Sequence, residues 1–284
     1  MKILVTSDST CALARSEAEK IGLPILPLNV IVDGEEYHDG IDIDQEKLCK
    51  MMRGGSIIKT STPTPYEIEE FFDAQFAKGF DHIIHFTISS KLSSMFSLFT
   101  THCKEKYGDK VTIIDSLSVC QMMLDHVLTA INLVNEGKDV ETIVKEVNAR
   151  IGTEDLLFIP ESLTYLKNGG RISPALAFIG NMIGLKPLLT FNKGEIGKEG
   201  TTRNVKKGIN DRISKMASGN FNKDDWHLVV VYFDTDEKLI EFAKNQLEEN
   251  LPGYEILTTP LSINVCAHTG PGTIGIGISR KPNH

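Results

Sequence analysis

Cysteine is sparse and dispersed: five residues (Cys11, Cys49, Cys103, Cys120 and Cys266) in a chain of 284, with no C-x-x-C pair. An odd, scattered set excludes a disulfide framework and a thiolate zinc site, and predicts reduced thiols in a cytoplasmic protein. Basic residues are in deficit, 30 Lys and Arg against 38 Asp and Glu, for a formal charge of −8. With no compact basic stripe, that balance argues against nucleic acid or an anionic membrane surface as a partner. Long apolar runs are missing as well. The longest, "ALAFIGNMIGLKPLLTF" at 175–191, is interrupted by Asn181, Lys186 and Pro187, short of the about 20 residues a membrane span needs. The opening "MKILVTSDST" has no apolar core or cleavage signal of a secretory peptide. The expectation is a soluble cytoplasmic chain without stable membrane insertion.

Familiar catalytic signatures are also lacking. There is no G-x-S-x-G elbow, no Walker loop, no G-x-G-x-x-G after the first strand and no His, Cys and carboxylate set at metal-ligand spacing. No cofactor and no metal are therefore expected. What remains is an ordinary globular composition, 41% hydrophobic and 24% charged, in a chain long enough for one large or two modest cores.

The first half alternates short apolar runs with amphipathic segments, the pattern of a parallel α/β sheet. Strands are predicted at 2–8, 82–89 and 111–116, and helices up to Gly22, over 44–53 and near 120–136 and 139–152. A strand followed by a turn at Asp33-Gly34 is expected within 23–40. Thr64 with Glu67 has capping-box spacing, and Ile68, Phe71, Phe72 and Phe76 give the helix after it an apolar face. The second half changes character. It has a strand at 156–162, helical sequence over 163–185 broken by Gly169-Gly170, and a hairpin around Asn192-Lys193-Gly194. A basic helix (202–217), a strand (227–234), a helix (236–249), a strand (254–262), then a glycine-rich turn and a final strand complete it. The predicted architecture is α/β in two domains, 1–153 with a parallel sheet and 154–284 with a mixed one.

Four stretches carry candidate chemistry. "KTSTPTP" (59–65) places Thr60, Ser61, Thr62 and Thr64 ahead of a helix; capping explains one or two of these hydroxyls and leaves Thr60 and Ser61 over. "FTISSKLSSMFS" (86–97) gathers five serines where a strand passes into a helix, at the sheet edge where α/β proteins bind ligands and helix N-termini attract anions. Ser93 or Ser94 also has the position of a cap there. "NGGRIS" (168–173) frames Arg171 with glycines that permit positive φ, offering a planar fork of donors to a phosphate or carboxylate. "HTGPGTIGIG" (268–277) frames His268 in what reads as a strand-entry loop. Together these are the parts of an anion pocket. Only His268 is on offer as a base for a serine nucleophile, so binding is better supported than catalysis.

Six motifs in order ("TSDST" at 6–10, "KTS-x-P" at 59–63, "SSKLS" at 89–93, "GGRIS" at 169–173, "GLKPLLTF" at 184–191 and "HTGPGTIGIG" at 268–277) make the chain resemble, end to end, the DegV family of bacterial fatty-acid-binding proteins. The resemblance implies a non-enzymatic two-domain protein holding one long-chain fatty acid in a tunnel between the domains. The carboxylate would lie among Thr60, Ser61, Ser93 and Ser94, with His268 in the head-group region. It also implies a partner, a separate fatty acid kinase that makes acyl-phosphate for phospholipid metabolism, docking at Arg171. Phe178, Ile179, Met182, Ile183 and Leu185 are candidates to line the tunnel. One departure is visible: Ser93-Ser94-Met95 stands where the family often has Ser-Gly-Thr or Ser-Gly-Ser. Two other readings are a serine-dependent acyl hydrolase using Ser93 with His268, and a module for another small anion that depends on Arg171.

Overall fold

The computed structural model describes residues 1–173 and 184–282. The first half runs β1 (Ile3–Asp8), a 3-10 turn (Ser9–Cys11), α1 (Arg15–Lys20), β2 (Ile25–Leu26), β3 (Asn29–Val32), β4 (Glu35–His38), α2 (Gln45–Arg53), β5 (Ile58–Ser61), α3 (Pro65–Phe76), β6 (His82–Thr87), α4 (Met95–Tyr107), β7 (Val111–Asp115), α5 (Cys120–Asn135) and α6 (Val140–Asn148). The second half runs β8 (Asp155–Ile159), α7 (Thr164–Asn168), β9 (Lys186–Asn192), β10 (Glu195–Thr202), α8 (Val205–Ala217), β11 (Trp226–Phe233), α9 (Glu237–Asn250), β12 (Ile256–Pro260), α10 (Ile263–Thr269) and β13 (Thr273–Arg280).

The N-terminal sheet has the order β2-β1-β6-β7 and is parallel throughout. Its central strand β6, "HIIHFT", is buried along its whole length, as expected for a parallel sheet covered on both faces. The C-terminal sheet is mixed, with the order β10-β9-β8-β13-β11-β12, and only β11 and β12 run parallel. The Asp33-Gly34 hairpin forms as expected, and with β5 it makes a small antiparallel sheet, β4-β3-β5. That third sheet accounts for the hydroxyls that capping left over. Thr60 and Ser61 are strand residues opposite Val30 and Asn29, while Thr64 forms the capping box with Glu67 at the start of α3.

One expectation fails at the chain's end. His268 belongs to α10, a short helix whose N-cap Ser262 accepts the Val265 N–H; the glycine-rich turn starts only at Gly270. Ile263 and Val265 are β-branched, which gives this helix the look of a strand entry.

The two halves share a core. One continuous apolar cluster contains Phe72, Met95 and Met122 from the first half and Phe158, Phe191 and Cys266 from the second. Polar contacts pin the same interface. Ser89 Oγ donates to Gly194 O at 2.6 Å, Gln45 Nε2 donates to Leu261 O, and Arg53 pairs with Asp234 through Nε at 2.7 Å and Nη2 at 2.5 Å. α5 also brings Asp125 within 2.7 Å of His227. The five thiols are free. Among the described residues no helix is long and apolar enough to cross a membrane, and no His, Cys and carboxylate cluster has the make-up of a metal site. Phe178, Ile179, Met182 and Ile183 lie outside the described residues; Leu185, just before β9, is half-buried.

Candidate functional site

In the parallel sheet the chain leaves β1 toward β2 on one side, while β6 lies on the other. The carboxyl ends of β1 and β6 therefore flank a topological switch point, where open α/β sheets bind ligands. Asp8, the last residue of β1, ties the two following loops together. Its Oδ2 accepts the Ile88 N–H at 2.7 Å, and its Oδ1 accepts the Thr10 N–H at 2.8 Å and the Thr10 hydroxyl. Burial lifts this carboxyl to about 6, against the hydrogen bonds that hold it down.

Beside these loops lies a cavity of about 80 Å³. Its polar wall includes Thr60 and Ser61 from β5, Ser93 from the loop before α4, Arg171, and Asn264 and His268 from α10. Leu28, Ile88, Leu92, Met95, Leu166 and Ile196 supply its apolar side. Elements from both halves thus converge on a space the size of a head group, well below the roughly 300 Å³ at which whole-ligand pockets begin.

Thr60 Oγ1 and His268 Nε2 are 2.8 Å apart. Burial, and secondarily the Arg171 charge, push His268 down to about 4, so its imidazole is neutral at physiological pH. The Arg171 guanidinium donates from Nε to Leu92 O at 3.2 Å and from Nη1 to Gly169 O. Burial lowers its pKa, yet an arginine keeps its charge. Ser93 Oγ accepts the Met95 N–H at 3.3 Å, which leaves its hydroxyl proton to donate into the cavity.

The serine-rich stretch thereby separates into distinct tasks. Ser89 is buried and bonds across the interface to Gly194. Ser90 is exposed, and its N–H donates to Asp115. Ser94 holds the N-cap position of α4 but makes no side-chain cap bond; it is exposed and does not line the cavity. Ser97 Oγ donates to Ser94 O. Ser94 has φ −78° and ψ 4°, so the backbone here does not require glycine and Ser93-Ser94-Met95 leaves the loop's path open. At the second motif, Gly170 has φ +70° whereas Gly169 is helical at φ −75°, so positive φ explains only one of the two glycines.

Thr60, Ser61, Ser93, Arg171 and His268 are thus brought together, and Ser94 stands apart. Sequence reasoning passed over Asn264 and Thr269. Asn264 and His268 are four residues apart on one face of α10, a relation invisible while the segment reads as a loop. Asp8 had a signal, an Asp ending a strand with Thr two residues on, which is an Asx-turn arrangement. A larger groove of about 860 Å³, bordered by α1, α3 and residues 260–263, lies elsewhere and contains none of the predicted site residues.

Comparison with known proteins gives a consistent picture. The family model described as "Uncharacterised protein, DegV family" matches residues 2–281. A DegV domain-containing protein of Clostridium perfringens is 31% identical, covering 99% of this chain and 100% of that one. Among solved structures, that of a fatty-acid-binding DegV family protein from Thermus thermophilus superposes with a TM-score of 0.87 at 28% identity, covering 99% and 100% of the two chains. A fat acid (stearic acid)-binding protein from Eubacterium ventriosum gives a TM-score of 0.86 at 29% identity, with 98% of each chain covered.

Proposed function

Since the chain belongs to the DegV family, we propose that it binds one long-chain fatty acid, with the carboxylate in the cavity of Thr60, Ser61, Ser93 and His268 and the tail running between an N-terminal domain (1–153) and a C-terminal domain (154–284). The observation that carries this reading is the convergence of hydroxyl, imidazole and guanidinium donors from both halves on one small cavity. Relatives of the same fold are described as fatty-acid binders. Burying a sixteen-carbon tail is worth roughly 10 kcal/mol of gross transfer free energy at about 0.8 kcal/mol per methylene. Hydrogen bonds to a charged head group add about 1.5–3 kcal/mol each before the costs of binding. The tail dominates affinity, and the donors select an acid over an ester.

In this reading the protein is a cytoplasmic carrier rather than an enzyme. It presents the carboxyl to a separate fatty acid kinase, which forms acyl-phosphate for phospholipid metabolism, and Arg171 is the contact for that kinase. A hydrolase built on Ser93 and His268 draws less support: His268 Nε2 is engaged with Thr60, and an imidazole pushed down to about 4 is a weak base.

Native mass spectrometry of gently purified protein tests the central reading. A co-purifying acyl chain, or binding of added palmitate or oleate, is expected; neither being seen would overturn it. Arg171→Ala tests the docking role. Palmitate binding retained with acyl-phosphate formation lost supports a partner contact, whereas weakened palmitate binding reassigns Arg171 to the carboxylate.

A further inference from the structure

Gly169 is the last residue before the left-handed Gly170, yet its own φ of −75° suits any amino acid. Its need for glycine arises elsewhere. A Cβ at 169 would lie 2.8 Å from His268 Cε1 and closer still to Nδ1, in steric overlap with the edge of the imidazole. The reverse contact is built the same way: a Cβ at Gly270 would lie 2.7 Å from Tyr165 Cε2 and closer still to Cδ2. Tyr165 and Gly169 sit one turn apart at α7, and His268 and Gly270 flank the end of α10. Each segment thus seats its ring on the other's glycine, and this double seat fixes the imidazole against Thr60.

The seat also bears on where the imidazole carries its proton. His268 Nδ1 is buried and has no hydrogen-bond partner among the described residues. The hydrogen that stands in place of a Cβ at Gly169 faces that atom. With the proton on Nδ1, a buried N–H would be left without an acceptor and would meet this C–H head on. Orphaned buried N–H groups are rare, because each gives up its hydration with nothing in return. With the proton on Nε2, the Nδ1 lone pair faces the C–H, and Nε2–H donates to Thr60 Oγ1.

We propose that Gly169 is a positioning residue that holds His268 as the Nε2–H tautomer and thereby turns the Thr60 hydroxyl proton toward the cavity. Ser93 Oγ already accepts the Met95 N–H, so its hydroxyl proton is free for the cavity as well. The two hydroxyls then present donors alone, a wall suited to an ionised carboxylate, which only accepts, and not to a group that must itself donate. The inference rests on the fatty-acid reading for its ligand, although not for its tautomer.

The tautomer is read from nitrogen NMR of histidine-labelled protein, with His268 assigned by its loss in His268→Ala. Nε2 protonated and Nδ1 bare in the wild type is expected; an Nδ1–H tautomer overturns the proposal. Gly169→Ala is expected to weaken palmitate binding roughly tenfold or more, the scale of one lost hydrogen bond to a charged group. In a His268→Ala background the same substitution should add nothing; an equal loss in both backgrounds would show a merely structural glycine and overturn the role. Should Gly169→Ala fail to fold, the wild-type spectrum alone decides the tautomer. A wild type that binds no fatty acid defeats the fatty-acid reading while the spectrum still tests this one.

Discussion

Neighbouring serines with the same chemistry have different prospects because one faces the cavity and the other faces water. Ser93 Oγ accepts the Met95 N–H and lines the cavity, while Ser94 is exposed and bonds nothing through its side chain. Ser93→Ala should therefore weaken palmitate binding roughly tenfold and cost about 1 kcal/mol of stability through the lost bond to the Met95 N–H; Ser94→Ala should change neither, by titration calorimetry and urea melts. A second residue-scale expectation concerns Asp39, whose Oδ2 accepts the Ser9 hydroxyl at 2.8 Å. Burial raises its carboxyl from 3.8 to about 7. The folded chain thus holds a proton there that the unfolded chain releases, and stability is lost as pH rises across that window. The stability of Asp39→Asn relative to wild type should rise from about pH 4 to about pH 7 and stay constant above. His85 and His268, pushed down to about 3 and about 4, act in the opposite sense: the unfolded chain takes up protons first, so they cost stability as pH falls below about 6.5.

At the scale of elements, the β9–β10 hairpin does more than join two strands. Its turn, Lys193 at φ +49° and Gly194 at φ +83°, reaches across to the first half and presents Gly194 O to Ser89. A Cβ at 194 would lie 2.5 Å from Ser89 Oγ and 3.1 Å from the Leu117 backbone. Gly194→Ala combines left-handed strain with that clash, and should destabilise by more than about 1 kcal/mol, seen as a lowered urea midpoint. The same element shows where local rules hold and where they stop. Asn192-Lys193-Gly194 announces a turn by its residue types alone, and Thr64 with Glu67 announces a helix start by spacing alone; both form as read. That the turn touches Ser89 depends on residues 105 positions apart, and no short window contains that.

For the molecule as a whole, the question is what holds two sheets in one relation around a shared cavity. One apolar cluster spans the interface, and the Asp125–His227 pair ties α5 to β11. The two side chains are 1% and 3% exposed, and Gln121 Nε2 donates to Asp125 at 2.9 Å. Removing one member strands a buried partner, so His227→Leu should cost about 3–5 kcal/mol, read as a drop in urea midpoint without a change in slope. Neither Asp125, Gln121 nor His227 lines the cavity, so this variant tests the interface without touching the proposed head-group residues.

The order of strands and helices, the parallel and mixed sheets, and the family were determined by the sequence itself, because hydrophobic period, caps and turn residues act over a few positions. Of the residues the sequence nominated, Thr60, Ser61, Ser93, Arg171 and His268 line one cavity and Ser94 does not. Only the tertiary structure decided what each does. Thr60 and His268 meet across 208 positions, β-branched neighbours disguised the helix that carries the histidine, and Ser89 bonds across the interface to Gly194. Gly169 marks the division most sharply. In the sequence it is a turn glycine, whereas in the fold its backbone would suit any residue and its missing side chain is the space into which His268 packs.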